Sequence, residues 1–167
     1  VLREMRAHVK SGDPGNVEAR GVRFYWQRLF VDFRRHNDDD ARNAMLNYGY
    51  AVLRAGVARG LVAAGLNPAF GIHHDSAQNA FNLADDLLEV LRPVVDWSVF
   101  GLSGQGRPSD LESLTREHRR ELVGVMMVTL TIGGEQLSVL PAVDRMTASL
   151  VRALSGDGVK AFELPAI

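Results

Sequence analysis

Apolar positions recur at helical spacing along most of this chain, and Gly, Pro or runs of acids separate them. Leu2, Met5 and Val9 predict a helix over 2–10, ended by the SGDPGN break at 11–16. Asn16 is placed to cap a second helix, from Val17 to about Phe33, with Val22, Phe24, Tyr25, Trp26, Leu29 and Phe30 as its apolar content. The acidic NDDD run at 37–40 reads as a loop, with Asp40 capping the next helix. That third helix, about Ala41 to Ala64, is small or apolar on most sides, which marks a central element. Gly65 suits its C-terminal end.

After the loop LNPAFGIHHDSAQNAF, Asn82 starts a helix that carries Asp86 and Glu89 and passes Pro93 with a kink. GLSGQGRPS at 101–109 breaks the chain again, and Thr115 caps a helix to about Val125. VTLTIGGEQLSV alternates apolar and polar residues around Gly133-Gly134, the pattern of a two-stranded hairpin. A last helix spans roughly Leu140 to Leu154. The expected fold is mainly α: one helical domain over 1–167 with a small β-hairpin near the C-terminus.

Composition narrows the classes. With 167 residues, 46% of them hydrophobic, the chain can bury a sizeable core. It has no run of eighteen apolar residues and no signal-peptide pattern, so a cytoplasmic protein is the plain reading. Cysteine is absent, which removes disulfides, thiolate metal sites and cysteine nucleophiles together. A net charge of -1 does not by itself mark a nucleic-acid binder. Yet Lys10 and Lys160 are the only lysines among the 19 basic residues, and Arg20, Arg23, Arg28, Arg34, Arg35 and Arg42 crowd one stretch. Arginine suits bidentate phosphate contacts; a GC-rich genome would also enrich it. The first residue is Val1 rather than Met, so a piece of a longer polypeptide is expected.

The chemistry concentrates between Gly71 and Pro93. His74 precedes a helix on which Asp86 and Glu89, three residues apart, share a face. One imidazole nitrogen and two carboxylates suit a divalent cation, with hard oxygens favouring Mg2+ or Mn2+ and the imidazole tilting toward Mn2+ or a later metal. Glu18 is a candidate third carboxylate, although so early in a helix it would equally complement the helix dipole. Each member also has a plain structural role: first-turn acids for Asp85 and Asp86, a Glu89–Arg92 pair, a hydrogen-bonded loop histidine. His73 is not expected to ligate beside His74. Asn79 and Asn82 either position substrate or cap turns, capping being favoured for Asn82. Phe24, Tyr25 and Trp26 read as core before base-stacking platform. The glycines of GLSGQG follow no strand and open no helix, so they do not read as a dinucleotide loop.

The strings NAMLNYGYAVL (43–53) and GLNPAFGIHHDSAQNAFNLADDLLEVLRPVVD (65–96), with NVEA at 16–19 and RFYW at 23–26, resemble the catalytic domain of the CRISPR-associated spacer-acquisition integrase, the "Cas one" family. The helix–hairpin–helix ending in LVRAL fits the end of that domain, and the resemblance covers roughly 13–155. LNYGY and FNLADD are closest to members from type II systems, those with a single large effector nuclease. The resemblance implies a divalent metal, Mg2+ or Mn2+, held by Glu18, His74 and Glu89, with Asp86 close to the metal or its water. The separations, 56 residues from Glu18 to His74 and 15 on to Glu89, agree with the family. Val90 stands where relatives commonly carry Pro, which alters local helix geometry and removes no ligand.

It further implies an N-terminal β-rich domain, missing here, that in relatives makes the dimer contacts and meets a small partner subunit, "Cas two". The chain is therefore expected to be a catalytic-domain fragment, from a protein that is a homodimer at full length. The implied reaction joins the 3′-hydroxyl ends of prespacer DNA to the CRISPR repeat by metal-assisted transesterification; water as nucleophile would make it an endonuclease. Arg20, Arg23 and Arg92 are the candidate DNA contacts. A transposon-borne integrase of the same family shares the motif, and a non-catalytic helical interaction module is the remaining alternative.

Overall fold

The computed structural model describes residues 1–10, 13–106 and 113–167, so Ser11 and Gly12 of the first break and residues 107–109 of the second lie outside the described residues. In chain order the described elements are α1 (Leu2–Ala7), α2 (Val17–Leu29), α3 (Ala41–Ala63), α4 (Asn82–Leu88), α5 (Arg92–Leu102), α6 (Arg116–Val123), β1 (Thr129–Ile132), β2 (Glu135–Ser138) and α7 (Val139–Arg152). The fold is mainly α, as the periodicity predicts.

α3 is the axis. Met45, Leu46, Leu53, Val57 and Leu61 are fully buried on several of its sides, and α4, α5, α6 and α7 all pack against it. Glycines admit two of these neighbours: a Cβ at Gly49 would lie 2.5 Å from Val95 of α5, and one at Gly60 would lie 2.7 Å from Val143 of α7. The helix begins where the Asp40 carboxylate accepts the Arg42 amide at 3.0 Å. It ends at Gly65, whose φ of +80° lets the Leu66 amide reach back to the Leu61 carbonyl at 2.9 Å.

Other boundaries moved. α1 stops at Ala7 rather than residue 10. α2 stops at Leu29, because Phe30 turns extended (φ −125°, ψ 133°) and enters the core together with Phe33. Trp26, Phe30 and Phe33 pack as one aromatic group, with neighbouring ring centroids 4.9–5.9 Å apart. Burying those rings outweighs the helical periodicity that predicts continuation. Nor does the Asn16 side chain cap α2; Asp13 does, its carboxylate accepting the Val17 and Glu18 amides at 2.9 Å each. The helix expected to run through Pro93 breaks: α4 gives way to a 3₁₀ turn, Glu89–Leu91, and Pro93 sits in the first turn of α5, where its missing N–H costs no bond.

Thr115 caps α6 as expected, its hydroxyl accepting the His118 amide at 3.2 Å. The hairpin pairs Thr129 with Ser138 through Ile132 with Glu135, and Gly133 and Gly134 both take the positive φ of a two-residue turn. α7 ends at Arg152, two residues short of the expected Leu154. Among the described residues no helix is long and apolar enough to cross a membrane.

Candidate functional site

Asn82, the first residue of α4, is buried and folds the preceding loop back on the helix. Its side-chain amide donates to the Ala69 and Ser76 carbonyls (3.1 and 2.9 Å), and its oxygen accepts the Ser76 amide at 3.3 Å. It is a loop anchor as well as a helix start. The return is so tight that a Cβ at Gly71 would collide with the His74 carbonyl oxygen. Only glycine fits there.

One turn into α4, the Asp86 carboxylate gathers the loop's donors. Oδ2 accepts the Ile72 and His73 amides, the latter at 3.0 Å; Oδ1 accepts the His74 amide at 3.0 Å and His74 Nδ1 at 2.6 Å. Partial burial pushes the Asp86 carboxyl up. The bonds from the His73 amide, the His74 ring and the His74 and Ile72 amides outweigh that and hold it below its ordinary value. An ionised carboxylate only accepts, so Nδ1 is the nitrogen that donates to Asp86 and Nε2 is the one left to face Glu89. Nε2 lies 4.0 Å from Glu89 Oε1, too long for a hydrogen bond, so neither group consumes the other.

Glu89 sits in the 3₁₀ turn with its side chain 52% exposed, against 8% for Asp86. It lines a groove of about 580 Å³ whose apolar wall comes from Leu2, Met5, Val9, Val17 and Val22. Glu18 of α2 and His73 line the same groove. The structure thus brings His74, Asp86 and Glu89 together and places Glu18 on Glu89's groove. Among the described residues no three His, Asp or Glu side chains approach closely enough to hold a cation.

His73, set aside in the sequence, shares this corner: its ring stands 5.6 Å from that of His74 at 85°. Three successive amides curling round one carboxylate put both rings near Glu89. Asp85 turns the other way, accepting Asn79 Nδ2 at 2.8 Å and standing 3.9 Å from Arg54 of α3. No Glu89–Arg92 ion pair forms among the described residues.

The arginines expected at DNA separate. Arg20 lines a neighbouring hollow beside Glu4 and His8, and Arg23 is exposed on α2. Arg92 lies over the Tyr50 ring, 5.6 Å from its centroid, in a cleft between α3 and α4. Of the aromatic group, Trp26 packs at the core margin, Tyr25 donates its hydroxyl to buried Asp96 at 2.6 Å, and Phe24 lies under Arg28 at 5.2 Å.

The fold and site together define a helical domain that holds a carboxylate-oriented imidazole beside a groove lined by two further acids. The family described as "CRISPR associated protein Cas1" matches residues 17–122, well over half of the chain, which therefore belongs to that family. The CRISPR-associated endonuclease Cas1 of Neisseria meningitidis serogroup C is 42% identical over 166 residues, covering 99% of this chain and 54% of the relative. A second relative, CRISPR-associated endonuclease Cas1 2 of Pyrobaculum aerophilum, is 31% identical over 165 residues, covering 92% and 54%. The chain spans about half the length of the curated relatives it matches. Among solved structures, a casposase bound to integration product superposes with a TM-score of 0.67 over 87% of this chain and 51% of that one. At 23% identity the likeness is one of fold.

Proposed function

We propose that this chain is the catalytic domain of a CRISPR-adaptation integrase, joining the 3′-hydroxyl ends of prespacer DNA to the CRISPR repeat by transesterification. The observation that carries the reading is the Asp86 clamp, which turns His74 Nε2 toward Glu89 beside the groove that Glu18 also lines. One oriented imidazole nitrogen and two solvent-reaching carboxylates are the donor types that Mg2+ or Mn2+ takes, and the two glutamate side chains would close on the ion to hold it. Glu18, His74 and Glu89 would hold the ion, and Asp86, already engaged by four donors, would act on His74 rather than ligate. Such a cation supplies charge neutralisation at the phosphate and a lowered pKa for the attacking hydroxyl.

This chain's own groups do the rest. Asp86 fixes the imidazole tautomer and ring direction, the two glutamates supply anionic oxygens, and Arg92 contributes a phosphate contact near the same helix. The 42% identity to a Cas1 endonuclease favours the CRISPR role over the transposon-borne one. The remaining half of such a protein, with a second copy and the small "Cas two" subunit, would supply dimer and partner contacts, so this chain alone integrates DNA poorly.

A thermal melt with and without Mn2+ tests the reading. The parent melts higher with Mn2+, and Glu18→Ala, His74→Ala and Glu89→Ala each erase the rise. Variants that respond to Mn2+ as the parent does would overturn the ligand set, and a parent that neither gains stability nor nicks DNA would overturn the function.

A further inference from the structure

α4 presents a second face to a cleft that the proposed metal centre leaves unused. Along α3, Asn47, Tyr50, Ala51 and Arg54 fall at i, i+3, i+4 and i+7 and so share one side of the helix. Opposite them stand Asp85 and Leu88 of α4 and Arg92 of α5, enclosing about 220 Å³. The cleft carries an excess of positive charge. Arg35 and Arg92 both lie over the Tyr50 ring, each 5.6 Å from its centroid, and Arg54 lies over Phe81 at 5.1 Å.

Two of these guanidinium groups are held in place. Arg35 donates to Asn43 Oδ1 at 2.8 Å and to Asn47 Oδ1 at 2.6 Å, and Arg54 stands 3.9 Å from Asp85. Among the described residues no carboxylate pairs with Arg35 or Arg92. Asp96 takes the Tyr25 and Tyr50 hydroxyls, but it is buried at 3% exposure and faces the interior. Three guanidinium groups against Asp85 and Asp96 leave one positive charge over, and among the described residues the only carboxylate lining the cleft is Asp85. Like charges crowded round one ring repel unless an anion enters. Planar forks set on aromatic faces match a phosphate better than a diffuse counter-ion.

The position on α4 identifies the phosphate. Glu89, just after α4, lines the groove shared with Glu18, while Asp85 and Leu88 line the cleft, so a strand lying across α4 meets both. We infer that the Arg54–Arg92 cleft grips a backbone phosphate of the same DNA strand that reaches the His74–Glu89 groove, making Arg54 and Arg92 positioning residues for the reaction. The Arg54–Asp85 pair, 3.9 Å apart with the Arg54 side chain 41% exposed, is loose enough for a phosphate to displace. This assignment rests on the proposed function, and its test separates the two.

Single-strand DNA binding by this chain is measured by fluorescence anisotropy in EDTA over a salt series, for the parent, Arg54→Gln, Arg92→Gln and the control Arg59→Gln. Arg59 pairs with Asp144 at 2.7 Å, away from the cleft. Each cleft variant binds roughly fivefold to tenfold more weakly and loses about one unit of salt slope, while the control matches the parent. If a glutamine variant melts early, Arg54→Lys or Arg92→Lys replaces it; the charge without the fork gives an intermediate loss. One neutral methylphosphonate near the cut site weakens the parent by a similar factor and the cleft variants no further. Cleft variants that bind like the control overturn the cleft alone, provided the parent responds to Mn2+ and nicks DNA. A parent that does neither and does not bind DNA overturns the cleft and the proposed function together.

Discussion

His74 Nδ1 stands 2.6 Å from Asp86 Oδ1, and this contact decides which imidazole nitrogen faces Glu89. The same carboxylate accepts three successive backbone amides, 72 to 74, so loop shape and ring tautomer have one cause. Charge-assisted bonds of this kind are the strong ones. They also explain why Asp86 and Glu89, on one helix side, divide their work: one is saturated and nearly buried, the other open.

Asp86→Asn keeps the shape and places an NH2 group against backbone N–H donors whichever way the amide lies. The expected outcome is a loss of about 2 kcal/mol in unfolding free energy, from bonds to a charged acceptor. Hydrogen exchange reads the cause directly: the amides of residues 72–74 lose protection while those of α3 keep theirs. Unchanged protection at 72–74 would mean that the loop's curl does not depend on the carboxylate.

Arg42 is 2% exposed and joins three chain segments. It donates to the Val31 and Gly106 carbonyls at 2.8 and 2.9 Å and to Asp40 at 2.7 Å, and its guanidinium lies over Phe33 at 5.1 Å. Replacing it with Met takes the guanidinium from two carbonyls and leaves the Asp40 carboxylate without its cationic partner. Breaking a buried pair in this way costs about 3 kcal/mol or more, visible in urea denaturation as a lower midpoint at unchanged slope. Arg42→Lys recovers little, since an ammonium cannot span all three acceptors. A loss under about 1 kcal/mol for Met, the range of an exposed pair, would contradict this.

Asp96 ionises less readily in the folded chain, because burial outweighs the Tyr25 and Tyr50 hydrogen bonds and the nearby Arg92 and Arg35 charges. Above the unfolded carboxylate value of about 4 and below the raised folded one, the folded state holds a proton that the unfolded state has released. Stability from this group is therefore complete below about pH 4 and declines as pH rises through the folded value. Asp96→Asn removes the titration, so its stability falls less than the parent's between pH 4 and 7 in paired urea titrations. Parallel curves would assign the decline to other groups.

Several features were legible in the sequence because their causes are local. Asp40, Thr115 and Gly65 act within one turn of their own helix, and Gly133-Gly134 sets its hairpin through backbone angles that glycine reaches at no cost. The proximity of His74 to the helix carrying Asp86 and Glu89 was readable for a related reason, a short loop leading into one helix side. The cleft on α3 was half readable: Asn47, Tyr50, Ala51 and Arg54 have the right spacing, but nothing in the string says that Arg35 and Arg92 converge on Tyr50.

The sequence by itself determined the helical class, the central place of 41–63 and the chemical cast of the site, since periodicity and side-chain type suffice for these. Tertiary structure alone decided that α2 stops at Leu29, that Asp13 rather than Asn16 caps it, that His73 shares the groove and that Asp85 and Asp86 face different clefts. Each of those outcomes depends on which distant surface a side chain meets, and burial and pairing energies there exceed the few tenths of a kcal/mol in which local preference speaks.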